Sequence, residues 1–245
     1  MKKFFLAVLL ALGFTSAYAQ LSVNVGLTSD YRFRGVSQSN NGAAVQGGVD
    51  YAHSSGLYVG NWNSSISSAM YPNSTGVESE LYAGWKKDVY RGLTVDVGSQ
   101  NYFYMGNDNS TDSRFNTQEL YAGLGYGPIS VKYSQSLSNY FGINNSVGTS
   151  YTQADLKQSF GPISKSLQNL SLVAHYGHTA VANNSDFSYN DMNVGLTYNL
   201  TKNWDLGVRY YTNTSTTNVF QGANTLGGQR LYKDATVGSI TYAFN

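Results

Sequence analysis

Three charged residues near the start of the chain, Asp30, Arg32 and Arg34, alternate with Tyr31 and Phe33. In an extended segment such spacing puts all three charges on one face, with the two arginines roughly 7 Å apart. Two guanidinium groups so placed could bind an anionic group or form one side of a charged constriction, and Asp30 could neutralise one of them. The other residues that tempt a chemical reading offer less. His175 and His178 are three apart, so on a strand they face opposite ways and cannot share a metal ion. His53 falls at a turn. Serine is so abundant that a serine near a histidine carries little weight, and no local signature marks a nucleophile. Gly47-Gly48 and Gly227-Gly228 suit strands and turns, and no phosphate loop is visible. No enzyme, cofactor or metal site is expected.

The element that must position Asp30, Arg32 and Arg34 is the run 21–35, LSVNVGLTSDYRFRG. Its odd positions are Leu, Val, Val, Leu, Ser, Tyr and Phe, and its even positions are polar, charged or glycine. Soluble strands keep such alternation for about 4–8 residues. A run about twice as long suits a tilted strand that crosses a bilayer.

The pattern recurs. Alternating segments are predicted over 42–53, 57–66, 77–86, 93–104, 117–126, 129–137, 149–160, 170–177, 192–200, 204–212 and 231–244. With 21–35 this makes about twelve strands, an even number as in bacterial single-chain outer-membrane barrels. Segments 57–66, 149–160 and 231–244 alternate least cleanly. Leu57 and Val59 oppose Tyr58 and Trp62, which a bulge or a face packed on both sides would explain, and Asp234 shares parity with Phe244, which calls for a bulge or an early end to the outward face. All three prolines fall between strands.

Connections after odd-numbered strands are long and polar: 67–76, 105–116, 139–148, 179–190 and 213–228. Those after even-numbered strands are short: 54–56, 87–92, 127–128 and 201–203. Outer-membrane barrels sort their loops this way, with short periplasmic turns and long outer loops. The first connection, 37–41, is shorter than its series, and 161–168 is longer than its own. Ile240, Tyr242 and Phe244 alternate toward the C-terminus, resembling the signal read by the barrel assembly machinery, although Asn245 follows the last aromatic.

Lys2 and Lys3 precede an apolar run over 4–14, and Ala17-Tyr18-Ala19 supplies a cleavage motif. Residues 1–19 therefore read as a secretory signal peptide, leaving 20–245 as one barrel domain. Without Lys2 and Lys3 there are 13 basic against 14 acidic side chains. No basic surplus points to nucleic acid. Zero cysteines exclude a disulfide framework and a thiolate metal site. After residue 19 no apolar run approaches the roughly 18 residues of a membrane helix.

The blocks TSDYRFRGVSQS (28–39), GVDYAHSSGLYVGNWNSS (48–65) and ELYAGW (80–85) resemble the TorF family, to which a porin role has been ascribed. The resemblance implies an outer-membrane β-barrel. It brings no substrate and no catalytic residues.

The expected fold is an all-β, antiparallel up-and-down transmembrane barrel of about twelve strands in the cell outer membrane. Its candidate pore-lining residues are Asp30, Arg32, Arg34, Asp50, Glu78, Glu80, Lys86, Asp96, Glu119, Lys132, Asp191 and Arg209. Both signs interleave, so opposing charges could set up a transverse field that passes small polar or zwitterionic solutes. The alternative is that these groups pair into salt bridges and close a narrow barrel, which would then serve as a structural or surface-binding protein. A lipid-acting enzyme is the third reading. Tyr31, Phe33, Tyr51, Trp62, Trp85, Phe103, Tyr126, Tyr198, Trp204, Tyr242 and Phe244 are expected near strand ends as aromatic girdles.

Overall fold

A computed structural model describes residues 20–71, 74–106, 115–215 and 230–244. The expected signal peptide, Pro72, Asn245 and parts of two long loops lie outside the described residues. Twelve antiparallel strands close into a barrel: β1 (Gln20–Thr28), β4 (Ala44–Ala52), β5 (Leu57–Ser65), β6 (Ser74–Tyr90), β7 (Leu93–Gly106), β8 (Thr117–Tyr126), β9 (Ile129–Ser136), β10 (Ser150–Ser159), β11 (Leu170–Ala180), β12 (Tyr189–Asn199), β13 (Trp204–Asn213) and β14 (Ala235–Phe244). Each pairs with its sequence neighbour, and β1 pairs with β14 to close the ring. Two further short strands, β2 (Arg32–Phe33) and β3 (Val36–Ser37), form a separate hairpin between β1 and β4.

Alternation dictates which face each residue takes. Leu21, Val25 and Leu27 on β1, Leu120 and Leu124 on β8, and Val194 and Leu196 on β12 point outward and are exposed. Their polar neighbours point into the lumen. Among the described residues no helix is long and apolar enough to cross a membrane, which says nothing of strands.

The largest departure from expectation is at the start. The run 21–35 is not one strand. β1 ends at Thr28, and the chain then turns inside the barrel. Arg34 (φ 47°) and Gly35 (φ 76°) take left-handed backbone conformations and make the two-residue turn of the β2–β3 hairpin. Two arginines can therefore no longer share one strand face. The first loop spans residues 29–43, so it joins the long series from which it seemed to depart. It is long because it folds inward.

Other boundaries shift for local reasons. β6 continues to Tyr90 and turns at Arg91 (φ 45°) and Gly92 (φ 87°), which shortens the connection expected over 87–92. Its register shifts fall between Ser74 and Glu78 and between Asp88 and Tyr90. Of the two explanations for 57–66 the bulge is absent: β5 pairs in continuous register on both sides, with Tyr58 and Trp62 turned inward. β14 starts at Ala235, so Asp234 lies before the strand and its parity is no conflict. Tyr126, Tyr198, Trp204 and Phe244 are exposed near strand ends as expected. Tyr31, Phe33 and Trp62 are corrected: they pack inside, because the first loop carries Tyr31 and Phe33 into the lumen.

Candidate functional site

The lumen divides along its length. At the long-loop end, residues of the infolded first loop meet wall residues and other loops in one buried cluster that includes Tyr31, Val36, Tyr71, Tyr102, Tyr104, Phe141 and Leu231. Its rings meet mostly edge to face: Phe33 lies 5.4 Å from Tyr102 and 5.3 Å from Phe141, and Tyr31 lies 5.3 Å from Trp62. Such pairs each add roughly 0.5–1.5 kcal/mol beyond burial.

Ion pairs hold this plug to the wall. Arg34, at the hairpin tip, donates two parallel bonds to Glu119 (2.9 and 2.7 Å) and a third to the Tyr140 hydroxyl (2.9 Å). Its guanidinium also lies 4.0 Å from the centre of the Tyr151 ring. Burial alone would lower the Arg34 pKa, but Glu119 and the ring hydroxyls of Tyr140 and Tyr102 outweigh it and raise it above its ordinary value. Arg32 donates to Asp30 (2.6 Å) and to the carbonyls of Gly35, Leu231 and Lys233. Asp30 also accepts from Ser37 (2.5 Å). Asp30 thus neutralises Arg32 as expected, within the inner loop rather than on a strand. Gly35 is required twice over: its φ is positive, and a Cβ there would stand 2.7 Å from that of Asp191.

Beyond the hairpin the lumen opens. A cavity of about 510 Å³ is lined by first-loop residues 31–35 and by wall residues including Glu80, Tyr82, Lys132, Gln153, His175 and Arg209. A second, also about 510 Å³, is lined by Lys86, Asp96, Asp155, Lys157 and the Gly127-Pro128 turn at the short-turn end. Lys132 and Gln153 line both, so the space extends from the underside of the plug toward the short turns.

The candidate residues therefore separate into groups. Asp30, Arg32, Arg34 and Glu119 build the plug and its anchor. Glu78 is fully buried against Tyr31 and Tyr104, and neither of its carboxylate oxygens has a hydrogen bond of good geometry. Glu80 accepts from Gln100, Asp50 from the Tyr82 hydroxyl (2.5 Å), and Lys86 lies 3.9 Å from Asp96. Asp191 accepts from the Tyr151 hydroxyl (3.0 Å) and pairs with His175 Nε2 (3.1 Å). Lys132 and Arg209 line the open cavity without a carboxylate within ion-pair distance among the described residues. Lys132 lies 5.2 Å from the centre of the Tyr121 ring.

His175 was legible only in part. It faces inward between Asp155 (2.6 Å at Nδ1) and Asp191, while His178 faces outward and meets Asn190, so the two histidines do point apart. Lys157, at the short-turn mouth, has inward parity on β10 but was not singled out.

A feature invisible in one strand at a time is that lumen tyrosines lie over glycines of neighbouring strands. A Cβ at Gly60 would come within 2.4 Å of the Tyr82 ring. At Gly84, Gly98 and Gly177 it would meet the hydroxyls of Tyr58, Tyr121 and Tyr151 at 2.5, 2.6 and 2.1 Å. Laid against the wall, these rings leave the lumen space they would otherwise fill. Tyr58 donates to Asp96 (2.7 Å) and also meets the Tyr121 hydroxyl.

In overall architecture the chain is similar to the KdgM porin, with a TM-score of 0.57 at 11% identity over 91% of this chain and 99% of that one. The NanC porin gives 0.57 at 11% over 92% and 100%. A structure described as the KdgM porin in complex with disordered oligogalacturonate gives 0.56 at 10% over 93% and 100%. At this identity the likeness shows the fold alone. Among curated protein sequences none matches. A family model does match, over residues 13–244, and by it the chain belongs to Gcw_chp, a bacterial protein family of unknown function.

Proposed function

We propose that this protein is an outer-membrane porin that passes small polar solutes by diffusion, with its long loops facing outward and its short turns facing the periplasm. The observation that carries the reading is the cavity pair joined at Lys132, inside a closed twelve-strand barrel whose outer face is apolar over most of its girth. The TorF resemblance and the porin-like fold support it. Export through a cleaved signal peptide at residues 1–19 and insertion by the barrel assembly machinery, reading Ile240, Tyr242 and Phe244, belong to the same proposal.

Selectivity in this reading rests on Lys132 and Arg209 rather than on the first-loop arginines, whose charges Asp30 and Glu119 already neutralise. With Asp50 and Glu80 also on the lumen wall, the cavity offers both signs to a solute. No reaction is assigned. The packed plug favours a second reading, a barrel closed at its outer end that acts as a structural or surface-binding protein. Planar-bilayer recording of the refolded chain separates the two. Discrete conductance steps are expected of the porin, and a silent bilayer with correctly folded protein supports the closed barrel.

A further inference from the structure

The outward face of the barrel is not apolar all round. At mid-height on β11 to β13 it carries Leu172, Ala174, Val194, Leu196, Leu206 and Val208. On β5 to β7 the same face carries Asn61, Asn63, Ser79, Ser99 and Asn101 around Leu81. Their parity is fixed by exposed partners on the same strands, Leu57 and Val59 on β5, Leu81 on β6, Val97 and Phe103 on β7. Leu81 pairs with Asn61 on one side and Asn101 on the other, which puts it at the centre of the patch.

The patch lies within the span. Asn61 is four residues beyond Leu57, where β5 leaves its short turn. At about 3.3 Å per residue and a tilt near 40° this places it roughly 10 Å up an apolar band about 25 Å tall. Val49, its partner on β4, is exposed at the same level. The sheet satisfies part of the patch. Asn61 donates to Ser79 Oγ (3.0 Å) and to the Glu80 carbonyl (2.9 Å), Asn63 donates to Asn61 Oδ1 (2.6 Å), and Asn101 donates to the Leu81 carbonyl (3.2 Å). The carboxamide oxygens of Asn63 and Asn101 and the Ser99 hydroxyl have no partner among the described residues.

Lipid chains cannot hydrogen-bond these groups, and polar side chains at membrane depth regularly face protein. A surface with both amide donors and amide acceptors is complementary to itself, and the small Ala83 and Ser99 let two sheets approach closely. Resting on the reading that this outer face meets lipid, we infer that the β5–β7 face binds a second copy of this chain. The two copies pack about a two-fold axis that runs along the barrel near Leu81, so that asparagine amides meet across the interface.

The natural sequence has no cysteine, so single thiols report directly. Leu81→Cys, refolded into lipid vesicles and mildly oxidised, is expected to form a disulfide-linked dimer at least about tenfold faster than Val194→Cys on the opposite wall, because a dimer holds the two thiols at high effective concentration. N61L/N63L/N101L should shift the detergent-solubilised protein from dimer to monomer mass in native mass spectrometry while keeping the heat-modifiable migration of a folded barrel. Equal cross-linking at both positions, a monomer mass for the parent protein, or extra mass that is lipid alone would overturn the inference. Heat-modifiable migration keeps the two proposals apart: a folded monomer defeats only the dimer, whereas a chain that inserts in no membrane defeats the barrel reading itself.

Discussion

The two halves of the lumen are built from the same residue types to opposite ends. In the long-loop half, cations and carboxylates pair at 2.6–2.9 Å within a buried aromatic cluster, and the Arg34 and Glu119 side chains are only 7% and 3% exposed. Toward the short turns, Lys86 and Asp96 lie 3.9 Å apart, Lys132 lines both cavities, and Asp155 stays 37% exposed although it meets His175 at 2.6 Å; Arg209 lines open space beside the hairpin. The difference comes from the inserted segment. Residues 29–43 bring their own acid, bases and rings into one half, and nothing comparable enters the other among the described residues. Charge in a barrel therefore acts as packing where a loop fills the lumen and as lining where none does.

The largest effect should come from breaking the plug's anchor. Arg34→Ala leaves Glu119 buried and unpaired, and removal of one member of a buried pair costs about 3–5 kcal/mol. Chemical denaturation of the refolded barrel should show that loss, and bilayer recordings should show a larger conductance as the hairpin loosens. R34A/E119Q should recover part of the stability, since it removes the stranded charge. If R34A matched the parent in both measurements, the anchor would not hold the plug.

Gly60→Ala comes next. The added Cβ displaces the Tyr82 ring from the wall, where its hydroxyl is also held by Asp50. Overpacking of this kind costs about 1–3 kcal/mol. Conductance should fall as the ring moves into the cavity, and G60A/Y82A should restore it. No change on G60A would mean that the tyrosine-on-glycine arrangement does not keep the lumen open. The smallest effect on stability, within about 0.5 kcal/mol, belongs to K132E and R209E. Their signature is electrical: reversal potentials should move toward cation preference. Unchanged potentials would remove both residues from the path.

Much of the barrel was legible because its outer face imposes a period of two on nearly every strand. Loop parity and the count of twelve followed from the same rule. What escaped was where alternation stops meaning a strand. Tyr31 and Phe33 continue the period of Leu21 to Leu27, yet Arg34 and Gly35 turn the chain back, and an Arg-Gly pair is a weaker turn signal than Asn-Gly or Asp-Gly. Strand parity assigns charges to a face, but it cannot tell a paired charge from a free one. That depends on contacts such as Arg34 with Glu119, 85 residues away in sequence. The glycines beneath Tyr58, Tyr82, Tyr121 and Tyr151 escaped for the same reason, since each contact joins two strands.

The contrast between a packed long-loop half and an open short-turn half is tested most directly by thiol accessibility. Gln153 lines both cavities, while Thr179 on β11 is fully buried at the plug. With Gln153→Cys and Thr179→Cys made singly in the cysteine-free chain and embedded in vesicles, a small water-soluble thiol reagent should label the first quickly and leave the second protected. Equal labelling of the two would contradict the division of the lumen on which this account rests.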